Sequence, residues 1–343
     1  MVTTAAVLGA SGYAGGELIR LIDAHPYLEL EYMGAHSRAG LRLGEVHPHL
    51  SGGDRVLGPI DTTKVPKVDI AFLAMPHGAS ASPALDLRAR GVRVVDLGSD
   101  FRLDTAERYQ DAYEASHPFP NQLPEWVYGL PELFGDELAE ATQVAVPGCY
   151  PTSALLILAP LFAASLIEDD GVIVDSMSGV SGAGRGGSEA LSFGAIDESV
   201  KAYKVLAHRH RPEMEAGIEE FSGRTPSIVF TPHLVPMQRG ILTTAYATGS
   251  ADVTLGDLEE AIDKTYARSQ FVRRVEGSPE TRWVVGSNNA LISMHLDDRT
   301  NTVVALCAID NLIKGAAGQA IQCANIMMGL DEAEGLPDVG WMP

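Results

Sequence analysis

The sequence predicts an α/β region built on a doubly wound parallel sheet, followed by an α+β region whose sheet is largely antiparallel. Three observations carry this. Short apolar runs alternate with helical patterns through the first part of the chain, the rhythm of parallel strands joined by crossover helices. From about residue 170 longer strand-like runs dominate, with one clear helix among them. A chain of 343 residues is also long for one ordinary core and suits two domains.

In the first part the expected strands are Thr4–Leu8, Glu29–Met33, Asp69–Ala74, Val92–Leu97 and Gln143–Val146, with helices at Tyr13–Ala24 and Ala81–Ala89. In the second part they are Val172–Ser176, Ser227–Phe230, Ile241–Thr248, Phe271–Val275, Ala290–Leu296 and Thr302–Ala308, with a helix at Leu255–Ala267. A last helical pattern, Asn311–Met328, sets Ile313, Ala317, Ile321 and Ala324 near helical spacing and is expected to return to the first region.

Composition narrows the function classes. With 45% apolar and 20% charged residues the chain reads as a soluble globular protein. No apolar run approaches the roughly 18–20 residues of a membrane span. The opening Val2-Thr3-Thr4-Ala5-Ala6-Val7-Leu8 reads as a buried strand, not an export signal. A net charge of −20 argues against nucleic acid and anionic membrane as partners. Cys149, Cys307 and Cys323 lack the paired spacing of disulfides or a zinc site and fit a reducing, cytoplasmic compartment. Cys307, in an apolar run, and Cys323, in a late helix, read as buried small hydrophobes.

Gly9-Ala10-Ser11-Gly12-Tyr13-Ala14-Gly15 follows the first strand and opens the first helix. The spacing is GxxGxxG, but the physics is that of a phosphate turn: close backbone approach, and N–H donors at the positive end of a helix. The second strand then leads into His36-Ser37-Arg38. Its acidic residues come too early to hold a ribose 2′-hydroxyl, whereas Ser37 and Arg38 offer a hydroxyl and a guanidinium to a 2′-phosphate, so NADP is preferred to NAD.

Val146-Pro147-Gly148-Cys149-Tyr150-Pro151-Thr152 is a strand-to-helix junction, with the helix expected from Thr152. A cysteine there sits by the positive end of a helix dipole, which favours thiolate. A thiolate nucleophile needs an acid/base, and Ala207-His208-Arg209-His210-Arg211 supplies two imidazoles that share a side if the segment is extended. A basic surface loop is the plain alternative. Ser178-Gly179-Val180-Ser181-Gly182-Ala183-Gly184-Arg185 follows a strand and is expected to present backbone N–H groups to an anion or cofactor; a flexible surface loop is its alternative.

At these residues the sequence resembles the N-acetyl-γ-glutamyl-phosphate reductases, the arginine-pathway branch of the aspartate-semialdehyde dehydrogenase superfamily. Besides the motifs above, the resemblance rests on Pro76-His77-Gly78, Asp96 through Arg102, Tyr128-Gly129-Leu130-Pro131-Glu132, Pro212-Glu213, Arg239-Gly240-Ile241 and Asn311 through Ala320, all in family order. It implies a Rossmann NADP domain of residues 1–148 and 311–343, a catalytic and dimerisation domain of 149–310, and a homodimer or homotetramer. It implies NADPH-dependent reduction of an acyl phosphate through a thioester on Cys149, with His210 as acid/base and His208 second. Gly9, Ser11, Gly12, Tyr13, Ala14, Gly15, Ser37 and Arg38 would hold NADP(H), with Ser178, Gly179, Ser181, Gly182, Ala183 and Asn311. Arg102, Arg209, Glu213 and Arg239 would serve substrate or phosphate. Two departures stand out: Gly98-Ser99 replaces the family's Ser-Ala before Asp100-Phe101-Arg102, and Val146 replaces a frequent Asn. Reduction of an aspartyl or aminoadipyl phosphate, a non-catalytic NADP-sensing regulator and a cysteine hydrolase are the rival readings.

Overall fold

The computed structural model describes residues 2–186 and 189–342. The chain divides into two compact units, Met1–Glu107 with Ser116–Pro147 and Ala316–Leu336, and Arg108–Ala115 with Gly148–Gly315 and Pro337–Pro343.

The first part of the chain runs β1 (Thr3–Leu8), α1 (Tyr13–Ala24), β2 (Leu28–Ala35), α2 (Leu43–Val46), β3 (Gly58–Pro59), β4 (Ile70–Leu73), α3 (Ala81–Ala89), β5 (Arg93–Asp96), α4 (Ala106–Tyr113), β6 (Val127–Tyr128), α5 (Pro131–Glu140) and β7 (Gln143–Ala145). Its strands form one parallel sheet, ordered β3-β2-β1-β4-β5-β7-β6. The order reverses beside β1, so the loop after β1 opens at the switch point where such sheets take nucleotides. Ala5, Ala6, Val7 and Leu8 are wholly buried, as a central strand covered on both faces requires. β3 and β6 escaped the sequence reading because two residues show no periodicity.

The second part runs α6 (Cys149–Ala163), β8 (Val172–Ser178), α7 (Phe193–Ile196), β9 (Lys201–Ala202), α8 (His210–Ser222), β10 (Ile228–Leu234), β11 (Ile241–Thr248), α9 (Leu255–Thr265), β12 (Val272–Arg274), β13 (Ala290–Asp297) and β14 (Thr302–Ile309). Its sheet has the order β12-β13-β14-β11-β8-β10-β9 and is mixed: β8–β10 and β12–β13 are parallel, the other pairings antiparallel. A π-turn, Ile313–Ala317, and α10 (Gly318–Met327) follow. Where the sequence suggested one helix over Asn311–Met328, the chain therefore starts with a wider turn, in which the Gly315 N–H reaches back five residues to the Asp310 carbonyl.

In the first unit, α1 and α10 cover one face of the parallel sheet, with Leu18, Ile22, Ile321, Ala324 and Met327 packed on Ala5, Val7 and Met33. The other face carries Ala84 and Leu87 of α3 with Phe101, whose ring stacks on Trp126 at 3.9 Å between centroids. Cys323 lies in the α10 core and donates its thiol to the Gly129 carbonyl at 3.3 Å. Cys307 is wholly buried in β14, where burial pushes its thiol pKa far up. Both are the buried hydrophobes that the sequence suggested.

α6 is apolar all round, and every residue from Tyr150 to Phe162 is buried. It packs against β11 and β14 of its own sheet. Each of its fully buried Leu, Ile and Phe side chains contributes about 1.5–3 kcal/mol relative to exposure. Pro160 in its last turn cannot donate to the carbonyl of Leu156. The hydroxyl of Tyr266 donates to that carbonyl instead, at 2.8 Å, so the proline leaves no buried acceptor unpaired.

Candidate active site

In the first unit the turn after β1 is shaped by close backbone approach. Gly9 has φ +90°, and a Cβ there would stand 2.1 Å from the Ala74 carbonyl oxygen. A Cβ on Gly15 would stand 2.3 Å from the Gly9 oxygen. The nearest atom to a Cβ on Gly12 is 3.5 Å away, so packing does not demand that glycine; an approaching ligand would. Gly12 is the N-cap of α1 and caps it with no side chain. The turn from Gly9 through Ser11 to Tyr13, Ala14 and Gly15 is thus a cradle at a helix N-terminus, the geometry a pyrophosphate fits. Ser37, exposed, and Arg38, half-buried, lie in the turn that leaves β2. That is where a 2′-phosphate would be met.

Arg102 belongs to the same unit. One edge of its guanidinium donates to the Leu97 carbonyl at 2.8 Å. It sits beside two buried carboxylates. Asp100 accepts from the amides of Gly78, Ser80 and Ala81 at 2.7, 3.0 and 3.0 Å, which ties the Pro76-His77-Gly78 turn to the start of α3. Asp96 is wholly buried, and burial pushes it up to about 7 despite donors from Ser80 and Gly98.

In the second unit, α6 starts at Cys149 itself, three residues before the sequence suggested, because Gly148 takes the N-cap position and Pro151 fits the first turn. Cys149 is thus the first helical residue, at the positive end of a 15-residue helix. It is half-buried, whereas Cys307 and Cys323 are buried. The carboxylate of Glu213, itself wholly buried, accepts from the Gly148 N–H at 2.7 Å. On the other side stands Gly315: a Cβ there would lie 2.8 Å from the Cys149 Cβ, so only glycine allows this approach.

The histidine segment is not extended. His210 opens α8, with Arg209 as its N-cap, so His210 and Glu213 stand one turn apart on a helix. The first turn of α8 therefore carries the imidazole and also the carboxylate that pins the nucleophile turn. His208 lies just before it, with its ring 4.6 Å from that of His210 and 5.6 Å from Tyr150. Its Nδ1 accepts from the His210 N–H at 3.2 Å, so neutral His208 carries its proton on Nε2. Burial, aided by Lys204 and Arg209, lowers His208 to about 4. It is uncharged at neutral pH. The ring of His210 lies 5.8 Å from that of Tyr150, and His210 is 7% exposed.

Two phenols join this group that sequence reading passed over. The hydroxyls of Tyr150 and Tyr203 are 2.9 Å apart. Burial pushes Tyr203 up to about 12 and Tyr150 further in the same direction, so both keep their protons. Tyr150 had a signal in its place next to Cys149; Tyr203, distant in sequence, had none.

The loop after β8 differs from expectation. Its amides are already used: Gly179 donates to Gly240 O, Val180 to Met237 O, Ser181 to Gln238 O, Gly182 to Gly179 O and Gly184 to Ser181 O. The N–H groups of Gly179, Val180 and Ser181 turn onto a neighbouring loop and those of Gly182 and Gly184 back onto their own, so these five form no open anion cradle. The Ser178 hydroxyl donates to the Gly179 carbonyl. Asn311 bridges the same loops, accepting from Gly240 N at 2.8 Å and donating to the Ser181 hydroxyl at 3.0 Å. What Gly179, Ser181 and Gly182 offer a ligand is thus a preset surface rather than free amides, with Ser178, Ala183 and Asn311 beside them.

Arg239 is 3.0 Å from the buried carboxylate of Asp310, and Arg209 is half-buried beside His208. The second unit thus brings together Cys149, His208, His210, Glu213 and Arg209. The first unit holds the glycine turn, Ser37, Arg38 and Arg102.

The sequence matches two family models, "Semialdehyde dehydrogenase, NAD binding domain" over residues 4–141 and "Semialdehyde dehydrogenase, dimerisation domain" over 149–311. It is 45% identical to the N-acetyl-gamma-glutamyl-phosphate reductase of Paenarthrobacter aurescens over 100% of both chains. It is likewise 45% identical to that of Brevibacillus brevis, over 98% of this chain and 99% of the relative. Among solved structures, aspartate semialdehyde dehydrogenase II of Vibrio cholerae complexed with ASA matches with a TM-score of 0.73 at 16% identity, covering 96% of this chain and 99% of that one. The aspartate semialdehyde dehydrogenase of Candida albicans with NADP matches with a TM-score of 0.69 at 15% identity, covering 96% and 99%. At such identities the structures show the fold alone. With two semialdehyde dehydrogenase domains in order and full-length relatives of one name, the chain belongs to the N-acetyl-gamma-glutamyl-phosphate reductase family.

Proposed function

We propose that this protein reduces N-acetyl-L-glutamyl 5-phosphate to N-acetyl-L-glutamate 5-semialdehyde with NADPH, releasing phosphate, as a cytoplasmic step of arginine biosynthesis. One observation carries the reading: a half-buried cysteine opens a helix, and its turn is pinned by the carboxylate one turn after His210.

The chemistry follows from those positions. The Cys149 thiolate attacks the acyl carbon; an S–C bond forms, the C–O bond to phosphate breaks, and a thioester remains on Sγ. Backbone N–H groups in the first turn of α6 stabilise the oxyanion of the addition step. Arg102 is the candidate cation for the departing phosphate. NADPH, when bound, supplies the hydride that brings the acyl carbon to the aldehyde level. The Gly9–Gly15 cradle would hold its pyrophosphate, and Ser37 with Arg38 its 2′-phosphate. His210 holds the proton exchanged with the substrate oxygen as Sγ is released. His208, neutral above about pH 4, packs and orients rather than titrates. Glu213, buried and occupied by Gly148, positions the nucleophile instead of binding substrate. With Arg239 committed to Asp310, Arg209 is our choice for the substrate carboxylate.

The test is the reverse reaction. Mixed with N-acetylglutamate semialdehyde, phosphate and NADP⁺, the protein should generate NADPH absorbance, with little response to NAD⁺ or aspartate semialdehyde. Oxidation that ignores phosphate would refute acyl-phosphate chemistry. A response to aspartate semialdehyde alone would move the protein to another substrate.

We also infer a homo-oligomer, a dimer or a dimer of dimers, joined through the outer face of the mixed sheet. Val229, Ile173, Tyr246 and Val304 sit side by side across β10, β8, β11 and β14. Val229, Ile173 and Tyr246 are 44%, 41% and 38% exposed, a row of apolar side chains that water would not favour. Ile173→Asp with Tyr246→Asp should shift the protein to monomer in sedimentation velocity. An unchanged oligomer would place the interface elsewhere.

A further inference from the structure

We propose that Trp341 is a positioning residue for the nucleophile, acting through Arg239 and Asp310 on the turn that seats Cys149. The inference rests on Cys149 being the nucleophile, and every contact it uses lies within the second unit.

Asp310 is the hub. Its wholly buried carboxylate takes the amides of Leu312 and Ile313 on Oδ1, at 2.8 and 3.2 Å, and the amide of Gly286 on Oδ2, at 2.8 Å. The Arg239 guanidinium completes it, with Nε at 3.0 Å from Oδ2 and Nη2 at 3.1 Å from Oδ1. The two amides it caps open the π-turn Ile313–Ala317. Gly315 of that turn donates to the Asp310 carbonyl at 2.9 Å and is the residue laid against Cys149. A shift of Asp310 therefore passes to Gly315 and on to the Cα and Cβ of Cys149.

Trp341 touches the two groups that hold Asp310 from outside. Its indole stacks on Gly286, where a Cβ would lie 2.3 Å from the ring, and on the Arg239 guanidinium, 5.6 Å from the ring centroid. The ring is thus placed over two of the four groups that donate to Asp310. It lowers their access to water and fixes the guanidinium by a cation–π contact. The segment that brings it is laid down with care. Asn288 N donates to Pro337 O at 2.7 Å, the Asn289 amide to Asp338 O at 2.6 Å, and Trp341 N to Val285 O at 2.8 Å. Trp341 is itself 57% exposed. What its ring covers is the Arg239 guanidinium and Gly286.

The experiment uses the full chain with Trp341→Ala, Trp341→Phe and Trp341→Leu. Readouts are kcat in the semialdehyde assay, KM for NADP⁺, and the pH profile of iodoacetamide alkylation at Cys149, followed by peptide mass spectrometry. Trp341→Ala should lower kcat about tenfold, move the alkylation profile and leave the KM for NADP⁺ unchanged. Trp341→Phe, which keeps a ring face, should stay within about twofold of the parent. Trp341→Leu, which covers Gly286 without a ring face, should behave like Ala and serves if the Ala variant fails to fold. A parent-like kcat and alkylation profile in Trp341→Leu or Trp341→Ala overturns the proposal, as does Trp341→Phe impaired like Ala. A parent enzyme that alkylates at Cys149 but ignores the semialdehyde would sink the functional reading instead, and the alkylation profiles alone would then decide the role of Trp341.

Discussion

Cys149→Ser is expected to lower turnover on the order of a thousandfold or more while NADPH binding, read by cofactor fluorescence, stays within about twofold. The asymmetry comes from position. Cys149 is the first residue of α6, while the proposed cofactor cradle is the turn from Gly9 to Gly15 after β1. A serine fits the same first helical position, so the helix is kept. What is lost is the ionised group: a hydroxyl is far less acidic than a thiol, and a helix dipole does not bring it into range at neutral pH. Iodoacetamide should label the parent at this one cysteine, since Cys307 and Cys323 are wholly buried. A Cys149→Ser enzyme that keeps more than a tenth of parental turnover would end the covalent scheme.

Glu213→Ala is expected to lower kcat by about a hundredfold and Tm by roughly 4–8 °C, whereas Glu213→Gln should retain most stability and a larger share of activity. Removing the carboxylate strands the Gly148 N–H in a buried site, which costs about 1–3 kcal/mol and frees the turn before the nucleophile. A displacement of about 1 Å there suffices for the catalytic loss. Glutamine keeps an acceptor oxygen for Gly148 but adds donors of its own. Kinetics and thermal melts of both variants check this. An alanine variant with parental kcat would reduce Glu213 to a structural cap.

Much of this was legible in the sequence, for identifiable reasons. Strands such as Ile241–Thr248 and helices such as Tyr13–Ala24 match their expected bounds because periodicity and end signals coincide there. The glycine turn, Cys149 and the histidine segment were legible because each sits at a strand or helix boundary, where chemistry leaves a local signature. Three features were not. The start of α6 at Cys149 was hidden because Gly148 and Pro151 both read as turn residues, although one caps and the other fits a first turn. The helical conformation at His210 was masked by Arg209-His210-Arg211-Pro212, which lacks an ordinary capping side chain. Gly148 and Asp310, which pair with Glu213 and Arg239, lie 65 and 71 residues away in the chain. No local pattern encodes such pairings, so neither could be read from the sequence.

The discontinuity of the first unit has a bearing on how the chain comes to be folded. Ala317, Ile321, Ala324 and Met327 of the turn and helix that follow β14 belong to the same core as β1 and α1. A ribosome makes the sheet first, then the whole of Gly148–Gly315, and only then the helix that closes the sheet's open face. Domains normally mature in order of synthesis. Here the first-made half must wait, with Ala5, Val7, Leu18 and Ile22 short of part of their cover, until the later-made half has emerged. Nascent chains stalled before Ala317 would carry an apolar face that a chaperone can hold and a neighbouring nascent chain can find.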